Sequence, residues 1–351
     1  MLYQTQNPHG GDIYTTPVRL DFSANINPLG TPPAVIEAMK EALSLVSSYP
    51  DPFCRNAIQA ISIYEKVGQD QIILGNGAAE LIYSYCQAVK PDKALIAIPC
   101  FSEYLKALEN QSCHILYHLL TPQDYFIPDR NILASISEHH PDVLFLINPN
   151  NPTGITIEKE LLEEIIQLCA HLDIRLFIDE CFADLSYTKF SVIDYITRFK
   201  NIFVLKALTK TYALPGIRIG YGITADTDLL SEMSDSVQPW NVSVPAQAAV
   251  PAAFRETDFL DTARKIIETE RKWLLDQLGK SGFTVYPSAA NFLLFRAPED
   301  LDRKLAKEGI LIRNCSNFTG LGPGWFRTAV RLHEENLILI QTIANIMSER
   351  N

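Results

Sequence analysis

From Gln71 to Leu205 the chain repeats one unit: a short apolar run, a break, then apolar positions at helical spacing. The runs are Gln71–Leu74, Ala94–Ile98, Cys113–Leu119, Val143–Ile147, Ile174–Ile178 and Ile202–Leu205. Each is long enough for a strand and too short for a buried helix. Between them lie Phe101–Glu109 and Ile157–Leu172. In the second, Leu161, Leu162, Ile165, Ile166, Leu168, Cys169 and Leu172 share one side, with Thr156 placed to cap the N-terminus. Short apolar strands separated by amphipathic helices imply an α/β fold with a mainly parallel, doubly wound sheet. Ligands of such a sheet sit at the C-terminal ends of the strands.

Outside this block the pattern changes. Residues 1–34 are crowded with turn formers, from Pro8-His9-Gly10-Gly11-Asp12 to Asn25-Ile26-Asn27-Pro28-Leu29-Gly30, and read as an extended arm lying on other parts of the molecule. Pro32-Pro33 opens a helix over Ala34–Leu45, and a second is expected over Arg55–Glu65. After Tyr221, the joint at Pro239–Pro245 leads into a broken helical region reaching Lys280. Strands Thr284–Tyr286, Asn291–Phe295, Leu311–Ile312 and Phe326–Val330 then interleave with helices Leu301–Glu308 and Glu335–Glu349. The expected organisation is a large domain over 33–241 and a small α+β domain over 242–351, which the arm, 1–32, joins.

With 351 residues the chain can bury two cores. Its formal net charge of -11 argues against a general nucleic-acid binder, which would carry a basic stripe. An anionic small substrate remains possible, because a few local arginines outweigh the global field at short range. The seven cysteines include no CxxC, and several sit in apolar runs. They read as reduced thiols of a cytoplasmic protein. The start, MLYQTQNPHGGDIY, lacks the basic end and apolar core of a signal peptide. No apolar run approaches the ~20 residues of a membrane span.

The strand ends carry the chemistry. Gly75-Asn76-Gly77-Ala78-Ala79 follows the first strand and opens a helix, whose free N–H groups suit a phosphate, though such turns are also plain packing joints. Phe101, Asn148–Gly154 and Asp179-Glu180 follow three others, where core packing, turn chemistry and helix capping are the ordinary alternatives. After Ile202–Leu205 come Lys206 and Lys210, then Pro215-Gly216 and Arg218. A lysine held among apolar neighbours loses its charge readily and its amine becomes a nucleophile for carbonyls. One in a polar turn is merely solvated. What sets these five stretches apart is that they share one edge of one sheet.

Asn151-Pro152-Thr153-Gly154, the strand-end Asp179, and Thr209-Lys210 with Arg218 resemble the fold-type I, class I/II pyridoxal-phosphate-dependent aminotransferase superfamily over almost the whole chain. The resemblance implies pyridoxal 5'-phosphate as cofactor, no metal, and a choice of Lys210 over Lys206, which becomes peripheral. Lys210 would hold the cofactor's aldehyde and move protons. Asp179 would pair with the pyridine nitrogen, Asn151 with the phenolic oxygen, and Phe101 with the ring face. The amides of Gly77, Ala78 and Ala79, the Thr209 hydroxyl and Arg218 would hold the phosphate. Tyr49 matches a tyrosine that reaches the phosphate in the other subunit, implying a homodimer with shared sites. Two positions depart from the pattern: Phe182 where a tyrosine is common, and Ala207 where a serine or threonine is common. Each removes a hydroxyl.

Within the superfamily, His9-Gly10-Gly11-Asp12, Leu20–Gly30, Gly75–Ile82 and Gly309–Gly324 look like the threonine-phosphate decarboxylases of cobalamin biosynthesis. The implied substrate is a small phosphorylated amino acid. Arg327 would take its carboxylate and Arg313 its phosphate, with His9 and Gly10 closing over the phosphate and Asn25 adding a polar contact. The arm is short between His9 and Asp21 compared with many relatives. Histidinol-phosphate aminotransferase or a related transaminase is the alternative enzyme. A non-catalytic sensor of the same fold is the alternative from another class, disfavoured because no basic helix-turn-helix precedes residue 34.

Overall fold

The central apolar runs become strands buried on both faces, as a parallel sheet covered by helices requires, while the edge strand His114–Leu119 stays partly exposed. The computed structural model describes residues 9–15, 17–187 and 190–348. Among the described residues the main sheet has seven strands, ordered Ile72–Gly75, Gly220–Ile223, Ile202–Lys206, Arg175–Asp179, Val143–Ile147, Lys93–Ile98 and His114–Leu119. The last five are mutually parallel. Every residue of Val143–Ile147 is buried. Leu144 and Leu146 face one core, and Val143, Phe145 and Ile147 the other.

Gly220–Ile223 runs antiparallel to both its neighbours and was not foreseen. Two glycines in four residues disguise it, since glycine is depleted in strands. The glycines are required by contact: a Cβ at Gly222 would stand 2.2 Å from the Phe203 ring, and one at Gly220 2.6 Å from the Ala78 backbone nitrogen. Helices Asn131–His139 and Thr227–Ser236 also lay outside the sequence reading. The strongly marked helix spans Lys159–His171, with Glu158 at its N-cap and no side-chain cap. Thr156 therefore does not cap it. The broken helical region resolves into Val244–Phe254 and Phe259–Lys280.

Beyond the main sheet, Arg313–Asn314, Trp325–Ala329, Phe292–Arg296 and Thr284–Val285 form an antiparallel sheet. The arm is stitched to this layer: Leu20–Asp21 pairs in parallel with Ile310–Leu311. Phe22 is buried in the same core as Leu293, Phe295 and Ile343. Its carbonyl accepts from Ala329 N at 2.8 Å. Burying a phenylalanine is worth about 2–3 kcal/mol, so the arm is held by packing as well as by backbone bonds.

Candidate active site

Parallel strands send their C-terminal loops to one edge, and there a cavity of about 420 Å³ opens. Its walls include Ala78, Ala79, Phe101, Asn151, Asp179, Thr209, Lys210 and Arg218 from the strand ends, with His9, Gly10, Asn25, Arg313 and Arg327 from the arm and the small sheet. Ala207 and Phe182, the two departures, also line it.

Lys210 sits on the one-turn helix Leu208–Thr211, and its carbonyl accepts from Asn27 N of the arm at 3.1 Å. Its amine lies 6.0 Å from the centroid of Phe182. Burial, with the charges of Arg327 and Arg218 adding, lowers its pKa to about 8. A substantial share of such amines is therefore neutral near physiological pH, as a nucleophile needs.

Asp179 ends its strand with a carboxylate that burial pushes towards the neutral form. Hydrogen bonds and the Lys210 charge pull it back. Cys181 N donates to Oδ1 at 2.7 Å, and the Tyr104 hydroxyl donates to Oδ2. Tyr104 was not anticipated, because Phe101-x-x-Tyr104 reads as the apolar face of a helix.

The turn after strand Ile72–Gly75 is built around Gly77, which has a φ of 82°. A Cβ there would stand 2.4 Å from Arg218 Nη2, so only glycine lets the guanidinium lie against this turn. Helix Ala78–Val89 begins immediately after it. Thr209 is buried beside Lys210. Arg218 Nη1 also donates to Pro215 O at 3.1 Å.

Arg327 crosses from the small sheet to the large. It is buried; Nη1 donates to Asn151 Oδ1, Nη2 donates to Ser23 O at 3.0 Å, and Nε has no partner. Burial lowers its pKa to about 10. Asn25 is 2% exposed, and neither polar atom of its amide is paired. Buried polar groups are rarely left so, and these lie in the wall of a cavity. A bound group with acceptors and donors of its own would satisfy them.

At the outer wall, Arg313 donates to Asn314 O at 2.6 Å and Asn317 Oδ1 at 2.8 Å, with Phe318 beneath its guanidinium. His9 Nε2 lies 3.1 Å from Glu103 Oε1. Burial, the first cause, lowers the His9 pKa, and the Glu103 charge opposes it. Glu103 also accepts from the Tyr83 hydroxyl at 2.7 Å and Lys106 Nζ at 2.8 Å. Nothing in the sequence distinguished Glu103 from a solvated helix residue.

Tyr49 lies away from this cavity, 78% exposed and stacked on Trp240 at 4.4 Å. Lys206 is not peripheral. It is 3% exposed, and its amine lies 2.9 Å from Asp184, 3.4 Å from Glu65 and 3.9 Å from Glu180. The three carboxylates hold its pKa well above the usual value against the opposing effect of burial, which is the largest single influence. That lysine is fixed as a cation, whereas Lys210 gives up its proton far more readily than an ordinary lysine.

Together these groups suit a phosphorylated ring aldehyde and a substrate with two anionic ends. The described residues hold no cluster that could bind a metal ion, and no described helix is long and apolar enough to cross a membrane. The family model described as aminotransferase class I and II matches residues 18–343. A threonine-phosphate decarboxylase of Salmonella typhimurium is 35% identical over 94% of this chain and 91% of its own length. A histidinol-phosphate aminotransferase of Thermoanaerobacter sp. is 30% identical over 96% of this chain and 95% of its own. The crystal structure of the histidinol-phosphate aminotransferase from Clostridium acetobutylicum superposes with a TM-score of 0.88, at 30% identity, over 94% of this chain and 99% of that one. The chain belongs to the class I and II aminotransferase family, whose cofactor is pyridoxal 5'-phosphate.

Proposed function

We propose that this protein decarboxylates L-threonine O-3-phosphate to (R)-1-aminopropan-2-ol O-phosphate, a step of cobalamin assembly. The observation that carries the reading is the pairing of two guanidiniums, Arg327 and Arg313, in the wall of the cavity that holds Lys210. A small amino acid with a carboxylate at one end and a phosphate at the other matches that pair.

In this reading the residues around the cavity take the roles that the family resemblance assigns them. Lys210 would hold the cofactor, with Asp179 serving its ring nitrogen and Phe101 its ring face. Asn151 already accepts from Arg327 through Oδ1, which leaves its amide N–H groups for the phenolic oxygen. Gly77, Ala78, Ala79, Thr209 and Arg218 take the cofactor phosphate. When bound, the cofactor supplies a conjugated electron sink for the pair left by a bond broken at the substrate Cα. Arg327 orients the carboxylate, and Arg313, His9, Gly10 and Asn25 hold the far phosphate. Carbon dioxide leaves with loss of the Cα–carboxylate bond, and the Lys210 ammonium delivers a proton to Cα.

A homodimer completes the site in this reading. Tyr49 stacks on Trp240, and Leu45, Val46 and Phe53, close to it in the chain, are likewise exposed large apolar side chains of the kind buried in obligate interfaces. The Tyr49 hydroxyl would reach the cofactor phosphate of the other subunit.

The test is to supply phosphothreonine to the purified protein with pyridoxal phosphate. Carbon dioxide and aminopropanol phosphate are expected in equal amounts, and neither appearing sinks the proposal. The similarity to histidinol-phosphate aminotransferases supports a second reading, which instead requires conversion of 2-oxoglutarate to glutamate.

A further inference from the structure

One turn of helix Ser102–Glu109 organises three parts of the site. Phe101 at its N-cap lines the cavity, Glu103 holds His9, and Tyr104 turns inwards to Asp179. The third contact is the one that bears on chemistry. Tyr104 is 0% exposed, and its ring is packed against Phe145 and Phe177 with centroids 5.7 and 5.9 Å apart. Phe101 meets it edge-on at 6.4 Å. So enclosed, the hydroxyl cannot swing to another partner.

Asp179 is thereby gripped on both oxygens: Cys181 N on Oδ1 and Tyr104 on Oδ2. Two donors on different oxygens set the plane of a carboxylate as well as its position. They also stabilise its anionic form, and burial favours the neutral one. A neutral carboxyl could not keep a proton on a facing pyridine nitrogen. We propose that Tyr104 is a positioning residue, whose hydroxyl keeps Asp179 ionised and oriented so that the cofactor's ring nitrogen stays protonated. This rests on Asp179 as the partner of that nitrogen, and not on the choice of substrate.

Tyr104→Phe removes one oxygen and leaves the ring packing in place. Without any substrate, the variant is expected to bind pyridoxal phosphate about tenfold more weakly, the scale of one lost hydrogen bond to a charged acceptor. The visible absorption of its bound cofactor should shift relative to wild type. Tyr104→His, which keeps a ring donor, should recover part of the band. Reconstitution with N1-methylated pyridoxal phosphate, whose nitrogen carries a permanent charge, should remove the difference in turnover between Tyr104→Phe and wild type. In an Asp179→Asn background, adding Tyr104→Phe should change the spectrum no further. A variant with wild-type affinity and spectrum overturns the role of Tyr104 alone. So does a defect of equal size with the methylated cofactor or in the Asp179→Asn background, because that marks simple loss of packing. A wild-type protein that takes up no pyridoxal phosphate overturns the reading of the site, and this inference with it.

Discussion

Lys210 is lowered to about 8 from 10.5, first by burial and then by Arg327 and Arg218. Below about pH 8 the amine is protonated in both the folded and unfolded chains, and its burial opposes folding. As pH rises towards the unfolded value, the folded chain releases a proton that the unfolded chain keeps, so the opposition fades. Lys210→Met should therefore stabilise the cofactor-free protein in urea at neutral pH, by about 3 kcal/mol. The gain should shrink as the pH approaches the unfolded value; a gain that stays constant contradicts it. Lys210, Asp179, Asn151 and Arg218 were legible because each follows a recognisable apolar run or motif. Tyr104 and Glu103 were not, since their partners, Asp179 and His9, come from other parts of the chain.

Two elements owe their placement to contacts that no local pattern records. At the turn before helix Ala78–Val89, Gly77→Ala would push a methyl into Arg218 and strain a positive φ. Cofactor affinity should fall about tenfold, and the thermal midpoint of the cofactor-free protein should fall as well, because the strain is present without the cofactor. Fluorescence titration with pyridoxal phosphate measures the first and calorimetry the second. At the end of strand Ile202–Lys206, the buried Lys206 places one positive charge among Glu65, Glu180 and Asp184. Lys206→Met leaves those carboxylates uncompensated and should cost about 3–5 kcal/mol of stability in denaturant. A loss no larger than that of an exposed Lys→Met control would show that the cluster contributes little. The sequence made Lys206 look incidental because a lysine at a strand end is usually solvated. The neighbouring strand Gly220–Ile223 went unread because its glycines serve contacts with Phe203 and Ala78 rather than a side-chain pattern.

On the scale of the molecule, the cavity lies between the edge of the main sheet and a layer made from both chain ends. Arg327 ties the two through Asn151 on one side and Ser23 on the other. Arg327 is thus in direct contact with the arm that carries His9. Sharing of sites between subunits has its own expected outcome. Lys210→Ala and Tyr49→Ala variants, each impaired alone, should regain activity when unfolded together and refolded as a mixture, because one hybrid site then holds both wild-type residues. Absence of recovery, in mixtures that sedimentation shows to be hybrid dimers, would place Tyr49 outside the site.

The sequence by itself determined the parallel sheet and its reactive edge, and the cofactor was implied only through the motifs' resemblance to a known family. Those depend on apolar periodicity and on residues at short, fixed spacing, both of which are local properties of a chain. The tertiary structure decided what surrounds them. It brought Tyr104 to Asp179 across 75 residues and Arg327 to Ser23 across 304, and it buried one lysine among three acids while leaving another nearly unopposed. A side chain's charge and partners depend on desolvation and on distances closed only by folding, and no stretch of sequence contains them.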